Sequence, residues 1–368
     1  MQIGLGVFTG EALAAEGLTQ TEVLAQSLEQ ARIAESAGLD AVWISEHHFL
    51  PNGYVGSVLP YAAALVTVTS TITVGVSVAL APLHDPVRLA EDAAFLDVLS
   101  GGRFALGLGL GYRDAEYAGF GTHRRERAGR MEELCDILRQ AWGDGPLAHD
   151  GRYHKRCGVE VFPKPLRPGR VPLLMGGYAP QALDRVARRA DAFIMDGGTD
   201  SAVFGSHGHN RDLFDRVEEA VRAYREALAR HGRDADPLRF YLTLGGFLSA
   251  DGADAAWEQL QEAYMYTRRV YGEWYGLNPA EYDGWYPQRM SPEEHARRRA
   301  EVWLGTPDDL VPRFCRLAEI VGDGLHVMFR CKYPGVPHEA TTHSIRLLGE
   351  VRDRVAAAAP ATGGRGSA

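Results

Sequence analysis

Eight short apolar runs, each followed by an amphipathic helical stretch, predict a TIM-type (β/α)8 barrel with insertions. Three observations carry this reading. The alternation of run and helix holds over nearly all of the 368 residues. Several runs, among them "TITVGVSVAL", are apolar at successive rather than alternate positions, as strands covered on both faces must be. No G-x-G-x-x-G with a following acidic residue sits at the first strand–helix turn, which disfavours an open doubly wound sheet.

The elements follow in order. "QIGLGVF", residues 2–8, is the first strand. Thr19 and Glu22 make a capping box for a helix that runs to Ala37, with Leu24, Leu28 and Ala31 on one face. Gly38 ends that helix, and "AVWIS" begins the second strand. "SVLPYAAALVTVTS" is a helix and "TITVGVSVAL" strand three. "DPVRLAEDAAFLDVLSGG" is a helix with Pro86 in its first turn. "RFALGLGLG" is strand four, and a helix follows from about Arg124 to Trp142. Residues 144–170 are punctuated by Pro and Gly and suit an inserted hairpin. "VPLLMGG", "DAFIMDGG" and "RFYLTLGGFLS" are strands five to seven, the first two followed by the helices "PQALDRVARRA" and about Arg211 to His231. Residues 252–322 are helical with an aromatic-rich interruption, "DGLHVMFRCKYPG" is strand eight, and a helix closes the chain. One domain thus spans 1–358, with insertions at about 144–170 and 252–305, and the low-complexity tail 359–368 is expected to be disordered.

Bulk properties exclude several functions. A net charge of −9 and the lack of a Lys/Arg block exclude a nucleic-acid binder. Runs such as "THRRERAGR" mix arginines with acids and read as solvated helix faces. The four cysteines are scattered without a CxxC pair, so no disulfide framework is expected and a reducing cytoplasm fits. No signal peptide or membrane span is expected.

Barrel sites form where strands end. Strand two ends in "WISEHHF", an acid followed by two histidines. In an extended strand His47 and His48 point to opposite faces, so they cannot chelate one metal together, and no metal site is expected. "HGHN" at 207–210 lies in a late loop. A single histidine at a strand mouth suits proton transfer. Gly107, Gly109 and Gly111 alternate along strand four and strip one face of side chains. That face offers room for a flat ligand, or marks close packing. Gly176 and Gly177 precede a helix N-terminus with Pro180 in its first turn, which makes an anion site or a plain strand–helix turn.

The segments "GLDAVWISEHHF", "HDPVRLAEDAAFLDVLSGGRFALGLGLGY", "VPLLMGGYAPQAL" and "YPGVPHEATTHSIRLLGEV", in this order, resemble the bacterial luciferase-like flavin monooxygenase family. The resemblance implies a TIM barrel that binds reduced FMN, or in some branches a deazaflavin coenzyme, at the strand ends. It implies His47 as the catalytic histidine. It implies Ser77 and Val78 beside the flavin ring, with a non-proline cis peptide between them, and Gly176, Gly177, Tyr178 and Gln181 as the phosphate turn. Phe8, Gly109 and Tyr112 complete the expected cofactor contacts. Leu110 stands where the luciferase proper has a phosphate-pairing arginine, which leaves Tyr112 or Arg113 as the candidate substitute. The implied activity is oxidation of a small organic, apolar or aromatic, substrate by O2 through a C4a-hydroperoxyflavin, with reduced flavin supplied by a separate reductase. A homodimer is implied too. The alternatives are a deazaflavin-dependent hydride-transfer enzyme, a non-catalytic flavin-binding barrel and a metal-dependent hydrolase. Tyr264, Tyr266, Tyr271, Trp274, Tyr275 and Trp285, in the place of the family's lid, suit either a sizeable substrate or lid packing.

Overall fold

A computed structural model describes residues 1–13, 17–177, 179–198, 212–278, 282 and 284–358. Eight parallel strands close on themselves: β1 (Gln2–Phe8), β2 (Ala41–Ile44), β3 (Thr73–Leu80), β4 (Phe104–Gly109), β7 (Leu173–Gly176), β8 (Ala192–Asp196), β9 (Phe240–Leu248) and β11 (Leu325–Arg330). β8 pairs with β9, β9 with β11, and β11 with β1, so no edge is left open. The predicted barrel is therefore present. Its helices are α1 (Gln20–Ser36), α2 (Val58–Val68), α3 (Pro86–Leu99), α4 (Asp114–Gly119), α5 (Arg127–Trp142), α6 (Pro180–Arg189), α7 (Leu213–Arg230), α8 (Ala253–Trp274), α9 (Pro292–Ala300), α10 (Pro307–Val321) and α11 (His338–Ala358). No described helix is long and apolar enough to cross a membrane.

Local chemistry sets the boundaries. The Thr19–Glu22 capping box starts α1. Asp85 caps α3 by accepting from the N–H groups of Val87 and Arg88, and Pro86 fills the position that needs no donor. The expected hairpin is β5 (Ala148–Asp150) against β6 (Lys155–Cys157). Two elements escape the sequence pattern. The six residues of α4 are too few to show a helical period. The short β10 (Trp303–Gly305) pairs with the end of β9 beyond the barrel ladder.

Two apolar layers hold the barrel. The larger lies between strands and helices; the smaller fills the interior with Val7, Trp43, Leu174, Ile194 and Met328 among others. Trp43 plugs the barrel floor, edge-on to Tyr241 and His326. Its indole N–H donates to His326 Nε2 at 3.2 Å, so that nitrogen is an acceptor and the ring's other nitrogen faces Gln2 Oε1, also at 3.2 Å. Burial pushes the His326 pKa down to about 3, and the ring stays neutral.

Glycines make room for that plug. A Cβ on Gly75 would stand 2.1 Å from Trp43 Cζ3. We therefore expect Gly75→Ala to lower unfolding free energy by about 1–3 kcal/mol, the usual cost of overpacking. Urea denaturation of the variant checks this, and unchanged stability would show that the plug is looser than it looks.

Candidate active site

Two ladder irregularities shape the mouth of the barrel. The first lies on β1 between Leu5 and Phe8. Ile3 and Leu5 face the outer layer and Val7 the interior, but Phe8 returns to the outer layer. Val7, not Phe8, therefore lines the cavity at the strand ends. Phe8 was the expected contact, and the irregular register moves the inward position by one residue. The second lies on β3 between Val76 and Ala79 and contains the Ser77–Val78 cis peptide. Here Ser77 and Val78 both line the cavity, although they are neighbours in sequence.

β4 supplies the next wall. A Cβ on Gly109 would stand 2.3 Å from Val78 Cγ2, and one on Gly107 2.4 Å from the Val76 carbonyl oxygen. These glycines allow close packing against β3, and only Gly109 of the two lines the cavity. Gly111 lies beyond the strand with φ +72°. The stripped face is thus mainly a packing device. Gly176 and Gly177 border the cavity at the end of β7. Gln181 lies exposed in the first turn of α6, off the cavity wall, and Tyr178 and residues 207–210 lie outside the described residues. The α6 N-cap, Ala179, offers no side-chain cap to the first-turn N–H groups. The cavity measures about 270 Å³.

β2 ends at Ile44, so His47 and His48 sit in the loop after it rather than on the strand. They still diverge, because two buried carboxylates claim them separately. His47 Nδ1 is 2.9 Å from Glu116 Oε1, whereas His48 Nε2 is 3.2 Å from Glu46 Oε1. Glu116 is fully buried on α4, and its Oε1 also accepts from the His48 backbone N–H and from Arg113 Nη1, each at 3.0 Å. Burial alone would raise the Glu116 pKa; the bonds from His47 and the His48 amide, with the Arg113 charge, hold it below the ordinary value. The carboxylate is then acceptor-only, so Nδ1 of His47 must donate. Nε2 is left for the cavity, where Tyr112 OH lies 3.4 Å away.

Glu46, 2% exposed, ties β2 to β3. Its carboxylate holds His84 Nε2 at 2.9 Å and the Leu80 backbone N–H at 2.5 Å. Burial would raise its pKa, but His84, His48 and the Leu80 amide bring it down to about 2. His84 is raised in turn, Glu46 outweighing burial. So Glu46 fixes the loop after the Ser77–Val78 ledge.

Aromatic side chains close over His47. Its ring centroid lies 4.7 Å from Trp274, 5.0 Å from Tyr54, 5.6 Å from Tyr112 and 6.2 Å from Tyr271. Tyr275 stacks on Tyr112 at 4.0 Å. Of the six aromatics noted in the insertion, only Tyr271, Trp274 and Tyr275 thus reach the site. Tyr264 donates to Glu301, Tyr266 meets Asn52, and Trp285 lies under Arg268 and Arg298, which is internal packing. Arg113 is not placed for a phosphate: it donates to the His48 carbonyl and to Glu116, and stacks on Trp274 at 4.9 Å. Arg127, read as part of a solvated face, instead donates to the Gly111 carbonyl at the cavity rim at 3.0 Å. Among the described residues, no three His, Cys, Asp or Glu side chains converge as a metal site.

The luciferase-like monooxygenase family profile matches residues 3–324. The chain belongs to this family. The alkanal monooxygenase alpha chain of Photorhabdus luminescens is 32% identical over 177 residues, 48% of this chain and 49% of that protein. The chain aligns with only about half the length of the first curated relatives it matches. Among solved structures, the FMN complex of the oxygenating constituent of 3,6-diketocamphane monooxygenase from Pseudomonas putida superposes with TM-score 0.74 at 18% identity, covering 96% of this chain and 99% of that one. An F420-dependent secondary alcohol dehydrogenase superposes with TM-score 0.70 at 18% identity, covering 96% of this chain and 98% of that one. At these identities the structures show a shared fold.

The Glu46 clamp has a pH signature. A carboxylate with its pKa depressed from 4.5 to about 2 contributes stability that is present above 4.5 and lost as pH falls through 2. The expected loss is on the order of 3 kcal/mol. Urea denaturation from pH 7 down to 2 should show this component in the native chain and not in Glu46→Gln. Parallel curves for the two would contradict the clamp.

Proposed function

We propose that the chain is a flavin-dependent monooxygenase that uses reduced FMN and O2 to oxidise a small organic substrate at the His47 cavity. The observation that carries this reading is the conjunction of the Ser77–Val78 ledge with a histidine whose Nε2 faces the same space. The cavity fits a flat ring: Val7, Val78, Leu80 and Ile194 give it apolar walls, and Gly109 lets Val78 and β4 close together into one of them. A phosphate would lie at the rim, where Gly177, the uncapped first turn of α6 and Arg127 meet its charge. When bound, the reduced flavin would supply the two electrons that O2 chemistry needs.

The rest falls to the chain. Glu116 orients His47, so that Nε2 can take or return a proton at the cavity. Tyr112 sits within reach of that nitrogen. The ring collar from the β2–α2 loop, the β4–α4 loop and α8 keeps water from the reacting centre. A separate reductase would supply the reduced flavin. The second reading, hydride transfer with a deazaflavin coenzyme, is favoured by the F420-dependent neighbour of the same fold, and the His47–Glu116 pair would serve it equally.

Anaerobic titration separates the two. We expect reduced FMN to bind at least about tenfold tighter than reduced F420, a difference of about 1.4 kcal/mol. A subsequent oxygen pulse should give a long-lived near-ultraviolet absorbance before oxidised FMN returns. His47→Ala should keep FMN affinity within about threefold and lower substrate turnover by about 10²–10⁴, the usual worth of a positioned acid–base. Tighter F420 binding would move the assignment to hydride transfer, and full turnover in His47→Ala would remove the histidine's role.

A further inference from the structure

The cavity wall facing α8 carries hydroxyls as well as rings. Ser45 Oγ lies 2.6 Å from Tyr54 OH, and Tyr54 OH lies 3.3 Å from Tyr271 OH. All three residues line the cavity beside His47. Tyr112 brings a fourth hydroxyl, 3.4 Å from His47 Nε2. Burial, reinforced by Glu11, pushes the Tyr54 phenol well above its ordinary pKa, so it stays an O–H.

A hydroxyl carries one proton and two lone pairs, and either partner in each of these contacts can be the donor. The chain can therefore run in either direction. It can offer a donor to a carbonyl or an acceptor to a phenol at the same point in the cavity. A purely hydrocarbon ligand packed against it would meet none of this capacity, and sites built to hydrogen-bond a ligand oxygen discriminate strongly against analogues that lack it.

The rings point the same way. His47 is bordered by Tyr54, Tyr112, Tyr271 and Trp274, with Tyr54 and Tyr271 nearly perpendicular to it at 80° and 79°. Edge-to-face geometry of this kind suits a planar ring better than a flexible alkyl chain. Trp274, a bicyclic aromatic, already packs 4.7 Å from the His47 ring.

We propose that the site takes an oxygenated aromatic substrate, a phenol or an aryl ketone. Its oxygen hydrogen-bonds to the Ser45–Tyr54–Tyr271 hydroxyl chain, and its ring lies beside Tyr112 and His47, which line the same cavity. This rests on the reading of the His47 cavity as the substrate site of a flavin enzyme. The hydroxyl chain makes Tyr54 and Tyr271 specificity-determining residues.

The test is calorimetric binding of 2-naphthol, naphthalene and decanal to the full chain, with and without FMN. FMN affinity is measured first and separately. We expect 2-naphthol to bind at least about tenfold tighter than naphthalene or decanal. Tyr271→Phe and Tyr54→Phe should each bring the 2-naphthol preference to within about threefold of unity, a ratio read within each variant and so independent of any change in its FMN affinity or melting temperature. Equal binding of naphthalene or decanal, no binding of 2-naphthol, or full preference retained in both variants would overturn the proposal. Failure of FMN to bind would instead remove the flavin reading, since the probe preference is read in its absence as well.

Discussion

One carboxylate oxygen, Oε1 of Glu116, organises the mouth of this barrel. It accepts from three donors on two loops: the His47 ring, the His48 backbone and the Arg113 guanidinium. Because the group is fully buried, each charge-assisted bond is strong and each missing one would be costly. His47 has to be held by something, since it belongs to a loop and not to a strand. Fixing Nδ1 on Glu116 determines which nitrogen faces the cavity. Arg113 carries the same constraint outward, because its guanidinium stacks on Trp274 of α8. Position of the cavity-facing His47 nitrogen and coverage of the site are thereby linked through a single side chain.

A second carboxylate does the complementary work. Glu46 grips His84 and the Leu80 backbone, and so fixes the segment that follows Ser77 and Val78. One acid therefore aims the histidine and the other steadies the ledge, whose Val78 packs directly against Gly109. Glu46 acts from a loop and Glu116 from the short α4, over a rigid floor in which Trp43, Tyr241 and His326 are locked by packing and a hydrogen bond. The arrangement matches the common division of a barrel into a stable base and a functional rim.

The sequence makes much of this legible. Strand–helix alternation reveals the barrel, a capping box marks α1, Pro86 marks the start of α3, and "SEHHF" points to His47. What it hides has identifiable physical causes. Glu116 is 69 residues from His47 and sits on a helix of only six residues, so neither spacing nor period announces it. Phe8 is misplaced because an irregularity in the β1 ladder, which depends on its neighbour strand, shifts the inward face by one residue. The glycines of β4 are visible, but whether they face a ligand or a neighbouring strand depends on Val76 and Val78. Among the insertion aromatics, composition alone cannot separate Tyr271 and Trp274, which meet His47, from Tyr264, which meets Glu301.

The orientation of His47 is the point on which the rest turns, and its tautomer can be observed directly. Two-bond ¹⁵N–¹H correlation spectra of histidine-labelled protein, assigned with His47→Gln, report which ring nitrogen carries the proton in the neutral form. The structure predicts protonated Nδ1, bonded to Glu116, and bare Nε2. A neutral His47 protonated on Nε2 would mean that Glu116 does not hold the ring as described, and the account of the site would fail with it.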